Sequence, residues 1–239
     1  MKKSVFRLIC LICILAFVSV LATSCTERER INNALEKTNN LESLDCDLYW
    51  KVKIKDGAYR EEYSVQEKLL INKNEMLVTS FPYGSDEKST IYTDGKSVYL
   101  DNGEAVDLEE YNSKNVSLDN SLRGLLTAHP KQLFDLARVD NINGKTKLSV
   151  ELESVPFRAV LDKFLTGIEK KLDMEKGDGV TVEYSDCSLE ILVAEGYVYQ
   201  VNVSFNVEKK SDDDVSKEVR LTLSLNINDP GKEVAVNKP

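Results

Sequence analysis

The chain reads as an α+β protein, one antiparallel sheet whose apolar side is covered by helices. Three observations predict this. Runs of apolar–polar alternation, the mark of a strand with one buried face, recur along the chain and are longest in its last third. Asp-Gly and Asn-Gly pairs punctuate these runs, and both suit hairpin turns that need positive φ. One segment, VPFRAVLDKFLTGIEKKL, carries apolar residues at helical spacing.

The first segment is an address rather than part of the fold. Lys2, Lys3 and Arg7 precede an apolar run from Leu8 to Leu21, the layout of a secretory signal peptide. A spanning helix needs about 20 apolar residues, which disfavours a membrane-anchor helix here. Ala22-Thr23-Ser24-Cys25 resembles the bacterial lipobox, departing from its commonest form at Ala22 and Ser24. That resemblance implies cleavage between Ser24 and Cys25 and a diacylglyceryl group on the Cys25 sulfur. Two acyl chains suffice for stable anchoring, at about 0.8 kcal/mol per buried CH2. The expectation is a signal peptide over residues 1–24 and a single domain over 25–239, held at the extracytoplasmic face of a bacterial membrane. The alternative is ordinary signal cleavage with Cys25 left free.

Arg28 to Leu44 shows helical spacing through Ile31, Ala34, Leu35, Leu41 and Leu44, with Thr38 filling a gap in the stripe. The period then changes to two at Cys46, Leu48, Trp50, Val52 and Ile54. Turn signals at Asp56-Gly57, Asn72 to Asn74, Gly84 to Glu87, Asp94-Gly95 and Asn102-Gly103 separate strands in an antiparallel meander. These strands are expected at Tyr59 to Ile71, Met76 to Tyr83, Ser89 to Thr93, Ser97 to Asp101 and Glu104 to Asp107.

A helical interlude follows, with Leu122, Leu125 and Leu126 before His129-Pro130 and Leu133, Phe134, Leu136 and Ala137 after it. Asn143-Gly144 returns the chain to a strand carrying Leu148, Val150 and Leu152. The main helical stripe comes next, from Phe157 to Leu172. In the last third, Tyr197, Tyr199, Val201, Val203, Phe205 and Val207 share one predicted face, as do Val219 to Ile227 at every second residue. Between Val180 and Val193 the apolar phase slips by one residue, which predicts a bulge near Ser185 to Ser188. Val234 to Val236 is a candidate final strand.

Beyond residue 24 the chain carries 28 basic and 40 acidic side chains, a net charge of −12. So acidic a surface repels nucleic acid and anionic lipid head groups. Cys46 and Cys187 each fall in phase with buried strand residues. An oxidising compartment permits a disulfide between them, and burial as free thiols is the alternative.

Catalysis needs positioned acids, bases or nucleophiles, and none is evident. The single histidine, His129, precedes a proline at a helix boundary, and there is no Gly-x-Ser-x-Gly elbow. One histidine and two distant cysteines make no metal cluster. Asp212 to Asp214, and Asp186 with Glu190, match no calcium loop. Gly177-Asp178-Gly179 lacks the Lys-Ser/Thr of a phosphate cradle. The expectation is a protein that is not an enzyme and takes no cofactor and no metal.

The lipobox, the run INNALEKTNNLESLDCDLYWKVKI, the hairpin IYTDGKSVYLDNGE, a central helix and the closing LTLSLNINDPGKEVAV together resemble the LolA/LppX-type lipoproteins. Within that type the chain is most similar to Gram-positive lipoproteins whose domain has no assigned function. The resemblance implies an incomplete antiparallel barrel of about eleven strands wrapped around helices, with a cavity that carries or senses lipid. Trp50, Tyr63, Phe81, Tyr99, Tyr199 and Phe205 on strands, with Leu161 and Phe164 on the helix, are the candidates to line it. Filling an ordinary core is the other role open to such aromatics. Two functions follow as expectations. One is a binding protein for a lipid or other apolar ligand. The other is a solid scaffold docking another envelope protein through its sheet edges, which the first strand-rich segment and the last strand would form.

Overall fold

The computed structural model describes residues 27, 29–82, 88–114, 118–126, 136–174, 179–211 and 216–238. The signal segment with Ser24 and Cys25, the turn at Gly84 to Glu87, His129-Pro130 with Leu133 and Phe134, and Asp212 to Asp214 lie outside them.

Helix α1 (residues 29–39) leads into β1 (Ser43–Asp56), β2 (Tyr59–Asn72), β3 (Glu75–Pro82), β4 (Ser89–Thr93), β5 (Ser97–Tyr99) and β6 (Ala105–Asp107). Helices α2 (Leu108–Lys114) and α3 (Leu118–Leu126) follow, then β7 (Arg138–Ile142), β8 (Lys145–Leu152) and helix α4 (Ser154–Lys171). Strands β9 (Val180–Ala194), β10 (Tyr197–Ser211) and β11 (Ser216–Asn228) complete the order.

All eleven strands form one antiparallel sheet in the order β6-β5-β4-β3-β2-β1-β11-β10-β9-β8-β7. The first and last strands therefore meet in its middle, with Trp50 opposite Leu223 and Leu48 opposite Leu225. This corrects the expectation that the last strand forms an edge, while the first strand-rich segment does reach one through β6. The edges are β6 and β7, which do not pair with each other, so the sheet is open. Both are short, as edge strands that avoid pairing with other chains tend to be.

Strand periodicity sends one row of each long strand to the helix-covered face. Cys46, Leu48, Trp50 and Val52 on β1 join Val219, Leu221, Leu223, Leu225 and Ile227 on β11 in a single buried core. From the helices, Ile31, Ala34 and Leu35 of α1, Leu122, Leu125 and Leu126 of α3, and the α4 stripe enter the same core. Helix α3 lies close on α4 because Gly124 has no Cβ; one placed there would come within 3.0 Å of the Phe164 amide nitrogen.

Several boundaries differ from the sequence reading. Helix α1 ends at residue 39, and Leu44, read as part of its stripe, belongs to β1 in phase with Cys46. Arg123 of α3 donates to the carbonyls of Asn39 and Leu41, satisfying acceptors that the helix end leaves open. Helix α2 was missed, although its signal is present. Asp107 accepts from the amides of Glu109 and Glu110 at 2.8 and 3.3 Å, an N-cap with a glutamate three residues on. Strand β7 was also missed; its RVDNI sequence has no clean alternation.

The predicted bulge is present. Ser188 pairs with Ser204 and Ser185 with Asn206, so β9 carries one extra residue, and Asp186 takes a positive φ of 50° there. Tyr184 and Cys187 both face the core as a result. A second irregularity was not expected. Val193 pairs with Val198 but Leu192 with Gln200, which leaves Tyr199 as an extra residue in β10. Val198 is then the inward residue, and its amide donates to the Thr38 hydroxyl at 2.9 Å. Val234 to Val236 does not form a strand, but the Val234 backbone bonds to Ser43 and Asn72 across the end of β1 and β2.

Candidate apolar cavity

A cavity of about 260 Å3 lies between the sheet and the second half of α4. Period two puts Trp50 and Val52 of β1, Tyr63, Val65 and Glu67 of β2, and Ser80 and Pro82 of β3 on one face. The register then aligns them across strands: Trp50 opposite Val65, Val52 opposite Tyr63, Val65 opposite Pro82, and Glu67 opposite Ser80. Helical period brings Ile168 and Leu172, four residues apart, over these rows, and Leu221 of β11 completes the lining.

The Phe164 ring stacks on the Trp50 indole, with centroids 6.2 Å apart and planes inclined by 26°. Offset stacking of this kind adds about 0.5–1.5 kcal/mol beyond burial and fixes the indole as a wall. The indole nitrogen donates to Glu67 Oε2 at 2.9 Å, and the Ser80 hydroxyl donates to Oε1 at 3.3 Å. Burial raises the pKa of the Tyr63 phenol, with the Glu61 carboxylate adding to the effect. It stays neutral as part of the wall.

The eight aromatic and aliphatic candidates divide into three groups. Trp50 and Tyr63 line the cavity, and Phe164 backs it. Leu161 and Phe205 are fully buried in packed core; Phe205 lies 5.4 Å from Phe157 and 5.5 Å from Tyr184, centroid to centroid. Phe81, Tyr99 and Tyr199 are corrections, since all three leave the helix-covered face. Phe81 alternates with the inward row of Met76 and Val78 and is 43 % exposed. Tyr99 packs on Tyr92 with centroids 5.7 Å apart, under the Lys238 ammonium at 3.5 Å. Tyr199 sits on the β10 bulge, and its hydroxyl meets Glu195 at 3.4 Å.

Sequence reasoning missed Glu67. Its signal was a charged residue in phase with Tyr63, Val65, Leu69 and Ile71.

Cys46 and Cys187 are free, buried thiols. They stand on β1 and β9, with β11 and β10 between them, and three strand spacings of about 4.8 Å exceed the reach of a disulfide. Burial pushes both thiols up to about 12, with neighbouring carboxylates adding to the shift.

A larger groove, about 610 Å3, opens at the far ends of β1, β2, β10 and β11. Most of its lining residues are charged groups of both signs, several of them paired, such as Lys53 with Glu62 at 2.9 Å and Lys55 with Glu218, with Ile54, Val207 and Val219 among them. Exposed pairs of this kind contribute little and mark a solvated surface.

No protein-family model matches the chain, and no curated protein matches it. Among solved structures it is similar to a LolA superfamily protein of Nitrosomonas europaea, with 10% identity over 84% of this chain and 93% of that one, at a TM-score of 0.30. It is also similar to a DUF1329 family protein of Desulfovibrio piger, with 10% identity, 85% and 90% coverage and a TM-score of 0.24. A third similarity is to lipovitellin, solved for its lipid–protein interactions, with 11% identity and a TM-score of 0.34; it takes in 83% of this chain but 26% of that one. At such scores these likenesses carry no conclusion about a ligand.

Proposed function

We propose that this chain is a lipoprotein of the bacterial cell envelope that holds an apolar chain between its sheet and helix α4. The observation that carries the reading is the cavity, walled by Trp50, Val52, Tyr63, Val65, Pro82, Ile168, Leu172 and Leu221, with Glu67 and Ser80 as its polar members. The sheet then acts as a half-barrel around its helices, and the domain runs from Cys25 to the end of the chain. The signal-like segment and Ala22-Thr23-Ser24-Cys25 motivate the anchor, a diacylglyceryl group on Cys25 at the extracytoplasmic face. Volume limits the cargo. At about 30 Å3 for a water-sized group, the cavity takes about nine such groups, the length of one short chain or the end of a longer one.

A second reading has its own observation. Ligand pockets usually span about 300–1,000 Å3, and this cavity lies just below that range beside one contiguous buried core. On that reading the molecule is a scaffold for another envelope protein. Native mass spectrometry before and after organic extraction separates the two. An added mass that extracts as lipid is the expected result; a bare mass after exposure to bacterial membrane lipids moves the function to the scaffold.

A further inference from the structure

The wall of the cavity carries a carboxylate among its apolar residues. Among the described residues its lining contains one charged group, Glu67, and no Lys, Arg or His. Glu67 faces the same way as Val65 and Leu69, where the strand pattern calls for an apolar side chain, and it is half-buried. Its carboxylate is held in place by two donors, the Trp50 indole on Oε2 at 2.9 Å and the Ser80 hydroxyl on Oε1 at 3.3 Å. An ionised carboxylate offers about four acceptor sites, so each oxygen keeps capacity for another donor. Burial raises the pKa of the Tyr111 phenol on α2, and the nearby Glu67 carboxylate adds to the effect.

A fixed negative charge in an apolar wall attracts donors and repels anions, and weak screening there strengthens both effects. We infer that the ligand is a single-chain amphiphile ending in a hydrogen-bond donor, an amine or a hydroxyl, and that Glu67 receives that group. Fatty-acid carboxylates and phosphate-headed lipids are disfavoured at this position. The inference rests on the cavity being a ligand site.

Trp50 is the only tryptophan of the chain and forms the cavity wall, so its fluorescence reports occupancy directly. The test titrates the full chain in detergent-free buffer with octylamine, 1-octanol and octanoate, which share one chain and differ in their head. The expected order of affinity is octylamine, then octanol, then octanoate. The two ends of that series should differ about tenfold or more, the factor given by roughly 1.4 kcal/mol. Glu67→Gln keeps a carbonyl oxygen to accept from the Trp50 indole and an amide nitrogen that can donate to the Ser80 hydroxyl, but removes the charge. It should weaken octylamine, strengthen octanoate and leave octanol nearly unchanged. Equal binding of octylamine and octanoate by the unaltered chain overturns the role of Glu67 while leaving the cavity as a ligand site. No fluorescence response to any of the three overturns the ligand site itself.

Discussion

Arg158 and Glu169 lie on one helix, eleven residues apart, and form an ion pair with each other. A straight helix would separate their Cα atoms by about 16 Å, beyond the combined reach of the two side chains. The break is at Leu161, whose φ of −114° and ψ of 22° leave the helical region and kink α4. Glu169 is 5 % exposed and also accepts from the Tyr184 hydroxyl, so the pair ties both arms of the bent helix to β9.

Removing one partner of a buried pair strands the other charge, at a cost of about 3 kcal/mol. Arg158→Met leaves the buried Glu169 carboxylate without its charge partner and should therefore lower stability by that order, read from urea unfolding. The Arg158→Met, Glu169→Leu double variant should lose clearly less than the two single changes added together. Additive losses would mean that the two groups act separately.

The bend also positions Phe164 against Trp50, and Gly124 of α3 touches the backbone at that point. Gly124→Val places branched bulk where one methyl already meets the Phe164 amide. Overpacking should cost about 2 kcal/mol and shift the Trp50 emission through its stacked partner. An unshifted emission would show that α3 moves away without disturbing α4.

Thr38 shows how far the sequence could be read. It fills a gap in the apolar stripe of α1, and its hydroxyl accepts the buried Val198 amide beside the Tyr199 bulge, a partner that the stripe does not announce. Thr38→Val is nearly isosteric and leaves that amide without a partner, so about 1–3 kcal/mol of stability should be lost. Thr38→Ser should retain most of it. Equal losses would point to packing rather than the hydrogen bond.

The two bulges explain which faces were legible. At Asp186 the apolar phase slips visibly, from Val182 and Tyr184 to Cys187 and Leu189. At Tyr199 nothing slips, because tyrosine suits either face and Val198 and Tyr199 both read as sheet formers. Strand β3 is ambiguous for a related reason: Met76 and Val78 form one row, Leu77 and Phe81 the other. Its inward row is fixed only by pairing, with Val78 opposite the buried Leu69. Central strands with one apolar row were therefore readable, while edge strands and rows of mixed character depend on neighbours far away in sequence.

Burial of Cys46 gives a pH dependence with a defined sign. Its thiol is raised from 9.0 to about 12 in the fold, so above the unfolded value the unfolded chain releases a proton that the folded one keeps. Stability from this group is complete below pH 9 and falls by about 1.4 kcal/mol per pH unit between 9 and 12. Cys46→Val should flatten the alkaline slope of unfolding free energy by that amount. The folded chain should also resist thiol reagents at pH 8, and prompt labelling of Cys46 would contradict its burial.

The cavity itself predicts the outcome of filling it. Val65 stands opposite both Trp50 and Pro82, in the middle of the lining. Val65→Phe projects a ring into empty space, so it displaces ligand without the strain that enlarging a packed residue causes. Unfolding free energy should stay level or rise by about 1 kcal/mol as apolar surface gains contacts. Retained lipid and the Trp50 response to octanol should both disappear. Charged replacements at Leu161 give no such separation, because that side chain is fully buried at the bend and its loss acts on the fold first. If Val65→Phe stays folded and still retains ligand, the apolar chain lies elsewhere, and the space beside Trp50 is a packing defect.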